Sequence, residues 1–573
     1  MPEIVERPVP AAAFSALQAA GVEPVLARLF AARGVASAEE LDLGAERLLP
    51  PESMLGLARM ASLVADAIQA SQRVLIVGDY DCDGATACAV GVLALRAFGA
   101  HVDYLVPNRF EYGYGLTPEI VRVAATRKPD VLITVDNGIA SVEGVGEANA
   151  LGMQVIVTDH HLPGERLPEA ACIVNPNQPA CGFASKHLAG VGVMFYAMIA
   201  LRTELRRRNA FAGRQEPNLA ALLDLVALGT VADVVKLDRN NRILVEQGLR
   251  RIRTGRCRAG IRALLELCGR APAQTCAHDL GFLVGPRINA AGRLTDIGLG
   301  IECLLAEDEA HARDLAQRLH ALNRERRSIE ADMQAAALAH LDEIEAAGHY
   351  GLALHRADWH QGVIGILAAR IRERFHRPVV AFAAGPDGEL KGSARSIPGL
   401  HLRDALDLVD KRHPGMILRF GGHAAAAGLS IGADAFEAFR AAFDAVLREL
   451  LSPADLQERI ETDGWLEPSS FGLKLAEALR AVAWGQGFPP PRFVGEFRVA
   501  DQRVVGGGHV KLRLTCVGVP GGMDAMLFHC DTRLPARIRC VYRLEVNEWN
   551  GLRAAQLVVE HWEDPAQASG GPG

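Results

Sequence analysis

Short apolar runs alternate with helix-like stretches in the first half of the chain. Three of the apolar runs are VLIV (Val74–Val77), VLITV (Val131–Val135) and VIVT (Val155–Thr158). A helical pattern, Ala85–Phe98, follows the first run. The runs are apolar throughout rather than alternating, which indicates strands covered by helices on both faces. This βαβ rhythm predicts an α/β domain with a doubly wound parallel sheet.

A long amphipathic stretch follows. From Leu305 to Gly348 apolar residues recur at helical spacing among charged ones, and no proline intervenes. This pattern predicts one connector helix over residues 305–348. A new strand pattern begins at Tyr350 and predicts a second α/β domain over residues 349–455.

The pattern of the last hundred residues predicts a small β-barrel. Five β-like runs are separated by Gly-rich or Asn-Gly turns: Phe493–Val505, His509–Val517, Met523–Cys530, Ile538–Val546 and Leu552–His561. Five strands suit an OB-type barrel, a common oligonucleotide-binding module, and also fit other small barrels. The predicted boundaries are 1–50 for an N-terminal extension, 51–304 and 349–455 for the α/β domains, 456–565 for the barrel and 566–573 for a disordered tail.

Composition and charge limit the classes to which this protein can belong. The 573 residues carry a formal net charge of -7, so nucleic-acid binding would need a local groove rather than a basic surface. The 11 scattered cysteines never form C-x-x-C, which favours reduced thiols. The longest nearly apolar run is too short to cross a membrane, and the opening MPEIVERPVP is unlike a signal peptide. These features predict a cytoplasmic protein without a membrane partner.

Acidic and imidazole side chains follow each strand of the first domain. They are Asp79, Asp81 and Asp83 after the first run, Asp136 after the second, and Asp159, His160 and His161 after the third. Ligands of open parallel sheets bind at the carboxyl ends of the strands, so these groups should converge. Clustered carboxylates repel one another unless cations neutralise them, and oxygen ligands with imidazole suit Mn2+ or Mg2+.

Asp233 is a further candidate ligand, because a carboxylate within LLDLVALGTVADVV needs a partner. A helix cap or a salt bridge would also satisfy it. Two cations bridged by Asp136 would activate water against a phosphodiester, which is hydrolytic phosphoryl chemistry. Neither G-x-x-x-x-G-K-[ST] nor G-x-G-x-x-G occurs near these strands, which argues against nucleotide-triphosphatase and dinucleotide-dependent classes.

Eight short motifs together resemble the DHH/DHHA1 phosphoesterase superfamily, and within it the exonucleases that degrade single-stranded DNA in the 5'-to-3' direction. They are VGDYDCDG (Val77–Gly84), VDNG (Val135–Gly138), TDHH (Thr158–His161), TVADVV (Thr230–Val235), GPRINAAGR (Gly285–Arg293), WHQGVIG (Trp359–Gly365), GSARS (Gly392–Ser396) and GGHAAAAG (Gly421–Gly428). The resemblance covers roughly residues 50 to 560. The resemblance implies that the first α/β domain is a DHH domain and that the second is a DHHA1 domain.

The resemblance implies two divalent cations, preferably Mn2+ or else Mg2+. Its metal ligands would be Asp81, Asp83, Asp136, His160 and Asp233, with Asp79 as an additional or supporting partner. His161 would face the scissile phosphate, and Asp159 would orient an imidazole or the nearby backbone, so that His161, Asp159 and Asp136 form the catalytic set. Val77 stands where some members have a histidine, which implies a more water-rich first metal site.

The resemblance also implies a substrate, single-stranded DNA with a 5' end. Candidate contacts are Arg109, Tyr114, Arg287, Asn289, Arg293, His360, Ser393, Arg395, Gly421, Gly422 and His423. Gly392, Ser393 and Arg395 read as an anion-binding segment before a helix, and Tyr112 and Tyr114 could stack on bases. The products would be mononucleotides and the role DNA repair and recombination, with a helicase and a single-strand-binding protein as candidate partners.

Three alternatives stay open on the sequence. DCDGAT (Asp81–Thr86) also resembles the nucleophile loop of haloacid-dehalogenase phosphatases. A non-catalytic DNA-binding scaffold could share the fold. A DHH phosphodiesterase could act on short oligonucleotides or cyclic dinucleotides, although the chain continues into a barrel that such compact enzymes typically lack.

Overall fold

The computed structural model describes residues 2–107, 115–341, 348–385, 388–422, 424–506, 508–530, 532–549 and 551–565. These residues form two compact units, one of 6–320 with 461–573 and one of 1–5 with 321–460. A short two-stranded sheet pairs β1 (Glu3–Glu6) with β12 (Arg459–Thr462). None of the described helices is long and apolar enough to cross a membrane.

The larger unit contains the predicted parallel sheet. Its strands are β2 (Arg73–Gly78), β3 (His101–Leu105), β4 (Val131–Val135), β5 (Gln154–Thr158) and β6 (Cys172–Val174), in the order β3-β2-β4-β5-β6 and all parallel. The apolar runs are the three central strands. The pattern missed β3 and β6, because β3 is a half-exposed edge strand and β6 has only three residues.

Helices surround this sheet and continue beyond it. They are α1 (Ala11–Ala19), α2 (Pro24–Ala31), α3 (Leu57–Gln69), α4 (Cys82–Phe98), α5 (Pro118–Ala125), α6 (Val142–Ala150), α7 (Gly190–Arg207), α8 (Leu223–Ala232), α9 (Arg239–Arg253), α10 (Ala259–Leu267), α11 (Ala277–Asp279), α12 (Gly285–Leu294) and α13 (Gly298–Leu305). Central helix α4 is buried almost throughout and packs against α7 and α8. The predicted α/β class with a parallel sheet is therefore confirmed.

The predicted connector is one helix, α14 (Glu309–Leu341). It starts later than the sequence pattern suggested, because Asp308 accepts a hydrogen bond from the His311 backbone N at 2.7 Å and caps the first turn. Residues 306–308 separate it from α13, so the apolar pattern from Leu305 onward joined two helices.

The smaller unit is a second α/β fold with a mixed sheet. Its strands are β7 (Leu352–His355), β8 (Val379–Ala384), β9 (Glu389–Arg395), β10 (Ile417–Gly422) and β11 (Ala426–Gly432), in the order β10-β11-β9-β8-β7, and within it only β7 and β8 run parallel. Two apolar clusters cover its faces. One involves α15 (Ile364–Phe375), and the other involves α16 (Leu402–Arg412) and α17 (Phe436–Leu450).

The C-terminal part of the larger unit is a closed five-stranded barrel. Its strands are β13 (Phe493–Val505), β14 (His509–Thr515), β15 (Met523–Leu527), β16 (Arg537–Trp549) and β17 (Leu552–Glu563), in the order β13-β14-β15-β17-β16. The five predicted runs are these five strands. Helix α18 (Leu473–Ala481) adds to the barrel core. The predicted disordered tail lies outside the described residues.

Helix α2 of the N-terminal segment packs against the core of this barrel. Leu29 of α2 is fully buried in the barrel core. Arg33 donates to both carboxylate oxygens of Asp463, at 2.8 and 2.9 Å, and its guanidinium lies over the Trp484 ring. The Arg33 and Asp463 side chains are 1% and 3% exposed, so this ion pair is buried. It connects the segment after α2 with the segment that precedes the barrel strands.

Candidate metal centre

The first acidic cluster lies where β2 turns into α4. Asp81 caps α4, since its Oδ1 accepts a hydrogen bond from the Gly84 backbone N at 3.0 Å. A β-carbon at Gly84 would lie 2.5 Å from the Asp79 carbonyl oxygen, so the turn needs glycine there. The tight turn brings Asp79, Asp81 and Asp83 to the carboxyl end of the strand.

Asp136 follows β4 in a left-handed backbone conformation, with φ of 62°. Non-glycine residues adopt this region at a cost, and such strain clusters at functional sites. A β-carbon at Gly190 would lie 2.6 Å from the Asp136 Cβ, so helix α7 presses directly on this side chain. The packing fixes Asp136 at the middle of the sheet edge.

The predicted ligands converge. His160 Nε2 lies 3.0 Å from Asp136 Oδ1, 3.6 Å from Asp233 Oδ2 and 3.9 Å from Asp83 Oδ2. Among the described residues, possible ligand atoms fall into three groups, in each of which all atoms lie within 4.8 Å of one another. The groups are Asp79, Asp81 and Asp136; Asp83, His160 and Asp233; and Asp136, His160 and His161. Asp136 belongs to the first and third groups, and His160 to the second and third.

The electrostatics of this cluster favour cations. Burial, followed by the charge of Asp81, raises the pKa of Asp83 to about 7. Burial and neighbouring carboxylates raise the pKa values of Asp136 and Asp233 well above their usual range. Asp136 Oδ1 and Asp233 Oδ2 are buried and accept no hydrogen bond from any described residue. Buried oxygen ligands of this kind fit divalent cations such as Mn2+ and Mg2+.

Asp233 ends helix α8 and is its C-terminal cap residue. No described Lys or Arg forms an ion pair with it, and His160 Nε2 lies 3.6 Å from its Oδ2. Within the described part of the chain, the salt-bridge alternative therefore has no Lys or Arg partner. Asp233 lies beside His160 and Asp83, and its role as a metal ligand stays a prediction.

Asp159 and His161 form a pair beside these sites. His161 Nδ1 lies 2.8 Å from Asp159 Oδ1, and the same oxygen accepts the backbone N of His160 and of His161. Burial opposes the charge on each side chain, but their mutual attraction prevails. It lowers the pKa of Asp159 and raises the pKa of His161. Asp159 thus orients an imidazole, as predicted.

Sequence reasoning missed two asparagines that hold the backbone of the histidine pair. Asn175 Nδ2 donates to the His161 carbonyl at 2.9 Å, and Asn177 Nδ2 donates to the His160 carbonyl at 2.6 Å. Both follow β6, the strand that the apolar pattern missed. A sequence signal for these asparagines was present: NPN directly follows the apolar triplet Cys172–Val174. A strand there ends at the same sheet edge as the other strands.

The GPRINAAGR segment, predicted to bind substrate, forms α12 and contacts the acidic turn. Asn289 Oδ1 accepts a hydrogen bond from the Cys82 backbone N at 2.7 Å. Arg287 is buried and donates to His320 Nδ1 at 3.2 Å. Arg293, in the last turn of the same helix, is half-buried. Contact of these three residues with DNA stays a prediction.

In the smaller unit, Ser393 and Arg395 lie within strand β9 and not in a loop before a helix, so the predicted helix-cap arrangement is wrong for them. Register puts Gly421 of β10 opposite Gly428 of β11, and Gly428 opposite Ser393. The anion-binding candidates therefore form a row across three strands, a pairing that local sequence does not reveal.

The first turn of α15 contacts this row. A β-carbon at Gly365 would lie 2.9 Å from Arg395 Nη2 and 3.0 Å from Ser393 Oγ. Arg395 donates to Ser393 Oγ and to the Ala394 carbonyl, and among the described residues no carboxylate pairs with it. His360 is exposed just before this helix, and Gly422 ends β10. Arg109, Tyr112, Tyr114 and His423 lie outside the described residues.

Comparisons with known proteins identify the family. The DHH family, N-terminal domain, matches residues 73–230, the DHHA1 domain matches 348–449, and the RecJ OB domain matches 462–561. The single-stranded-DNA-specific exonuclease RecJ of Dickeya dadantii is 52% identical over 549 residues, which cover 94% of this chain and 95% of that protein. The chain belongs to the RecJ family.

Solved structures of the RecJ family agree with the fold. RecJ from Thermus thermophilus in complex with Mn2+ matches with a TM-score of 0.81 and 30% identity, covering 98% of this chain and 79% of that one. The complex of the same protein with Mg2+ matches with a TM-score of 0.75 and 29% identity, covering 98% and 78%. Membership of the RecJ family excludes the haloacid-dehalogenase alternative.

Proposed function

We propose that this chain is a metal-dependent exonuclease that hydrolyses phosphodiester bonds of single-stranded DNA in the 5'-to-3' direction and releases mononucleotides, in DNA repair and recombination. One observation carries the proposal. Six carboxylate and imidazole side chains from four segments of the chain come together in two sets that could each hold a cation. The RecJ relatives, named for exonuclease activity on single-stranded DNA, supply the substrate class.

We assign the two sets to two cations, Mn2+ by preference or Mg2+. Asp79, Asp81 and Asp136 would hold one, and Asp83, His160 and Asp233 the other. Asp136 Oδ1 lies 3.0 Å from His160 Nε2 of the second set, which supports a bridging role for Asp136. Cations bound there polarise phosphoryl oxygens and make water a stronger nucleophile near neutral pH. The buried Asp136 side chain and its strained backbone keep the shared oxygen in place.

We assign His161 to the scissile phosphate. Its Nδ1 is held by Asp159, so a contact with the substrate would use Nε2. The raised pKa of His161 favours the protonated imidazole, which can donate a hydrogen bond to a phosphoryl oxygen. Asp159 acts by fixing the orientation of this ring, and Asn175 and Asn177 fix its backbone.

We assign recognition of a terminal phosphate to the row in the smaller unit. Burial lowers the pKa of Arg395, and a phosphate would supply the counter-charge that the described carboxylates do not. Gly421 and Gly428 carry no side chain, so the row leaves backbone accessible beside Ser393. His360 and His423 would lie alongside. Binding of a terminal phosphate by this row would select the 5' end as the end from which nucleotides are released.

We assign the barrel to the incoming strand. Arg498 and Arg503 of β13 are exposed, and cations on an OB-type barrel attract the phosphate backbone without reading sequence. The proposed domain boundaries are those predicted from the sequence, and within the N-terminal segment α2 packs against the barrel core. A helicase and a single-strand-binding protein are the proposed partners, and the cytoplasm the proposed location.

The test is a cleavage assay on oligonucleotides labelled at either end, single- or double-stranded, with Mn2+, Mg2+ or a chelator. We expect mononucleotide release from the 5' end of single-stranded DNA, and none with chelator. Asp136→Asn should abolish it, because the shared ligand loses its charge. Release from the 3' end would overturn the direction. Activity that survives chelation would overturn the metal assignment.

A further inference from the structure

An exposed aromatic pair lies on the larger unit. The Phe282 side chain is 65% exposed, and its ring stacks on the exposed His278 ring, with centroids 4.5 Å apart and an interplanar angle of 16°. Single apolar residues are often exposed without consequence. A large ring held flat against an imidazole is different, because the stack fixes its orientation and offers a π face to solvent.

The backbone beneath the pair is a π-helical turn, Leu280–Val284. Such turns are rare and occur frequently at functional sites. Leu280 and Val284 at its two ends are fully buried. The turn is therefore anchored in the core while Phe282, in its middle, points outward.

This turn is packed against the elements that carry the metal ligands. A β-carbon at Gly281 would lie 3.0 Å from Val231 Cγ1, and one at Gly285 would lie 3.1 Å from Ala232 Cβ. The ligand Asp233 follows these two residues directly. The turn continues into α12, whose Asn289 holds the acidic turn at Cys82. Phe282 thus lies on a segment that packs against α8 next to Asp233. The same segment continues into α12, which is hydrogen-bonded to the acidic turn.

We infer that Phe282, supported by His278, is a stacking site for one base of the single-stranded DNA substrate. The inference rests on the proposed function and adds a contact that the eight sequence motifs do not include. An aromatic face accepts any base, so the site suits an enzyme that degrades DNA irrespective of sequence. Stacking would hold the strand near the metal centre by its bases, while the metal ligands and Arg395 engage phosphates.

The test measures binding of single-stranded DNA to the full chain in the presence of chelator, with 2-aminopurine placed at successive positions of the oligonucleotide. Stacking on Phe282 should quench the fluorescence at one position. Phe282→Ala should relieve this quenching and raise Kd about 5- to 150-fold, the range for loss of one aromatic–base stack. Phe282→Tyr should retain both, and His278→Ala should show a smaller loss.

Leu151→Ala is the matched control, because Leu151 is 50% exposed at the end of α6, away from the carboxyl ends of the strands. It should leave Kd unchanged. An equal thermal shift on Mn2+ addition for Phe282→Ala and the unmutated protein would show an intact metal centre. Phe282→Ala that binds and quenches like Leu151→Ala would overturn the stacking site alone. An unmutated protein that neither binds nor cleaves single-stranded DNA would overturn the proposed function instead.

Discussion

Asn289 Oδ1 accepts the hydrogen bond of the Cys82 backbone N–H at 2.7 Å. Cys82 stands between Asp81 and Asp83, so a side chain two hundred residues away in sequence holds the backbone that presents both carboxylates. Residues that orient metal ligands in this way commonly affect metal affinity nearly as much as the ligands do.

Asn289→Ala should therefore weaken Mn2+ binding about 10- to 100-fold, measured by titration calorimetry. Asn149→Ala is the control, since Asn149 donates to the Glu169 carbonyl on the surface, and its Mn2+ affinity should stay unchanged. If Asn289→Ala instead leaves Mn2+ affinity intact and weakens DNA binding, the substrate role predicted from sequence is the correct one.

The raised carboxyl pKa values predict how metal stabilisation depends on pH. Asp83 has a pKa of about 7 in the folded protein against its ordinary value of 3.8, so the metal-free fold holds a proton that the unfolded chain releases. Its stability should fall as pH rises between these values. Bound Mn2+ replaces that proton, so the increase in Tm on adding Mn2+ should grow from about pH 5 to about pH 7.

The check is a series of thermal melts with and without Mn2+ across this range, in buffers that do not bind the metal. Adding Mn2+ at about pH 7 in weak buffer should also release protons. A thermal shift that is independent of pH, without proton release, would mean that the carboxylates are already ionised.

Arg395→Gln should impair recognition of the DNA end. It removes a half-buried cation that no described carboxylate neutralises, and hydrogen bonds from charged groups contribute about 1.5–3 kcal/mol. We expect KM for 5'-phosphorylated single-stranded DNA to rise about 10- to 150-fold. Arg419→Gln is the control, because Arg419 lies on the same sheet with a side chain that is 75% exposed. Equal KM values for the two variants would remove Arg395 from the phosphate site.

Arg33→Ala should destabilise the larger unit by up to about 3 kcal/mol, because it removes the bidentate partner of the buried Asp463 carboxylate. Among the described residues, Asp463 would keep only Arg7 Nη1 at 3.7 Å and the Arg492 backbone N–H. Urea unfolding followed by Trp484 fluorescence would report this, since Arg33 lies over that ring. Arg122→Ala, which breaks an exposed pair with Glu147 in the same unit, should cost less than about 1 kcal/mol. Similar losses in both variants would show that burial does not strengthen the Arg33 pair.

Local patterns were enough to predict the parallel sheet, the barrel strands and the acidic edge. Apolar runs mark buried strands directly, and parallel strands must end at a common edge, so the convergence of Asp81, Asp136 and His160 followed from topology. The barrel strands were equally visible, because turns with glycine separate alternating runs.

Features that depend on distant pairing were not predictable. The row of Gly421, Gly428 and Ser393 exists only through strand register. The resemblance implied a substrate contact for Asn289, whereas its hydrogen bond to the Cys82 backbone depends on the packing of α12. The burial of Leu29 in the barrel core likewise depends on residues more than four hundred positions later.

The union of α2 with the C-terminal barrel has a consequence for synthesis on the ribosome. Leu29 is translated more than four hundred residues before the strands that enclose it. Until those strands are made, α2 exposes apolar surface, and Arg33 lacks the carboxylate that it will meet. A nascent chain interrupted before the barrel strands would keep that surface open to chaperones and proteases.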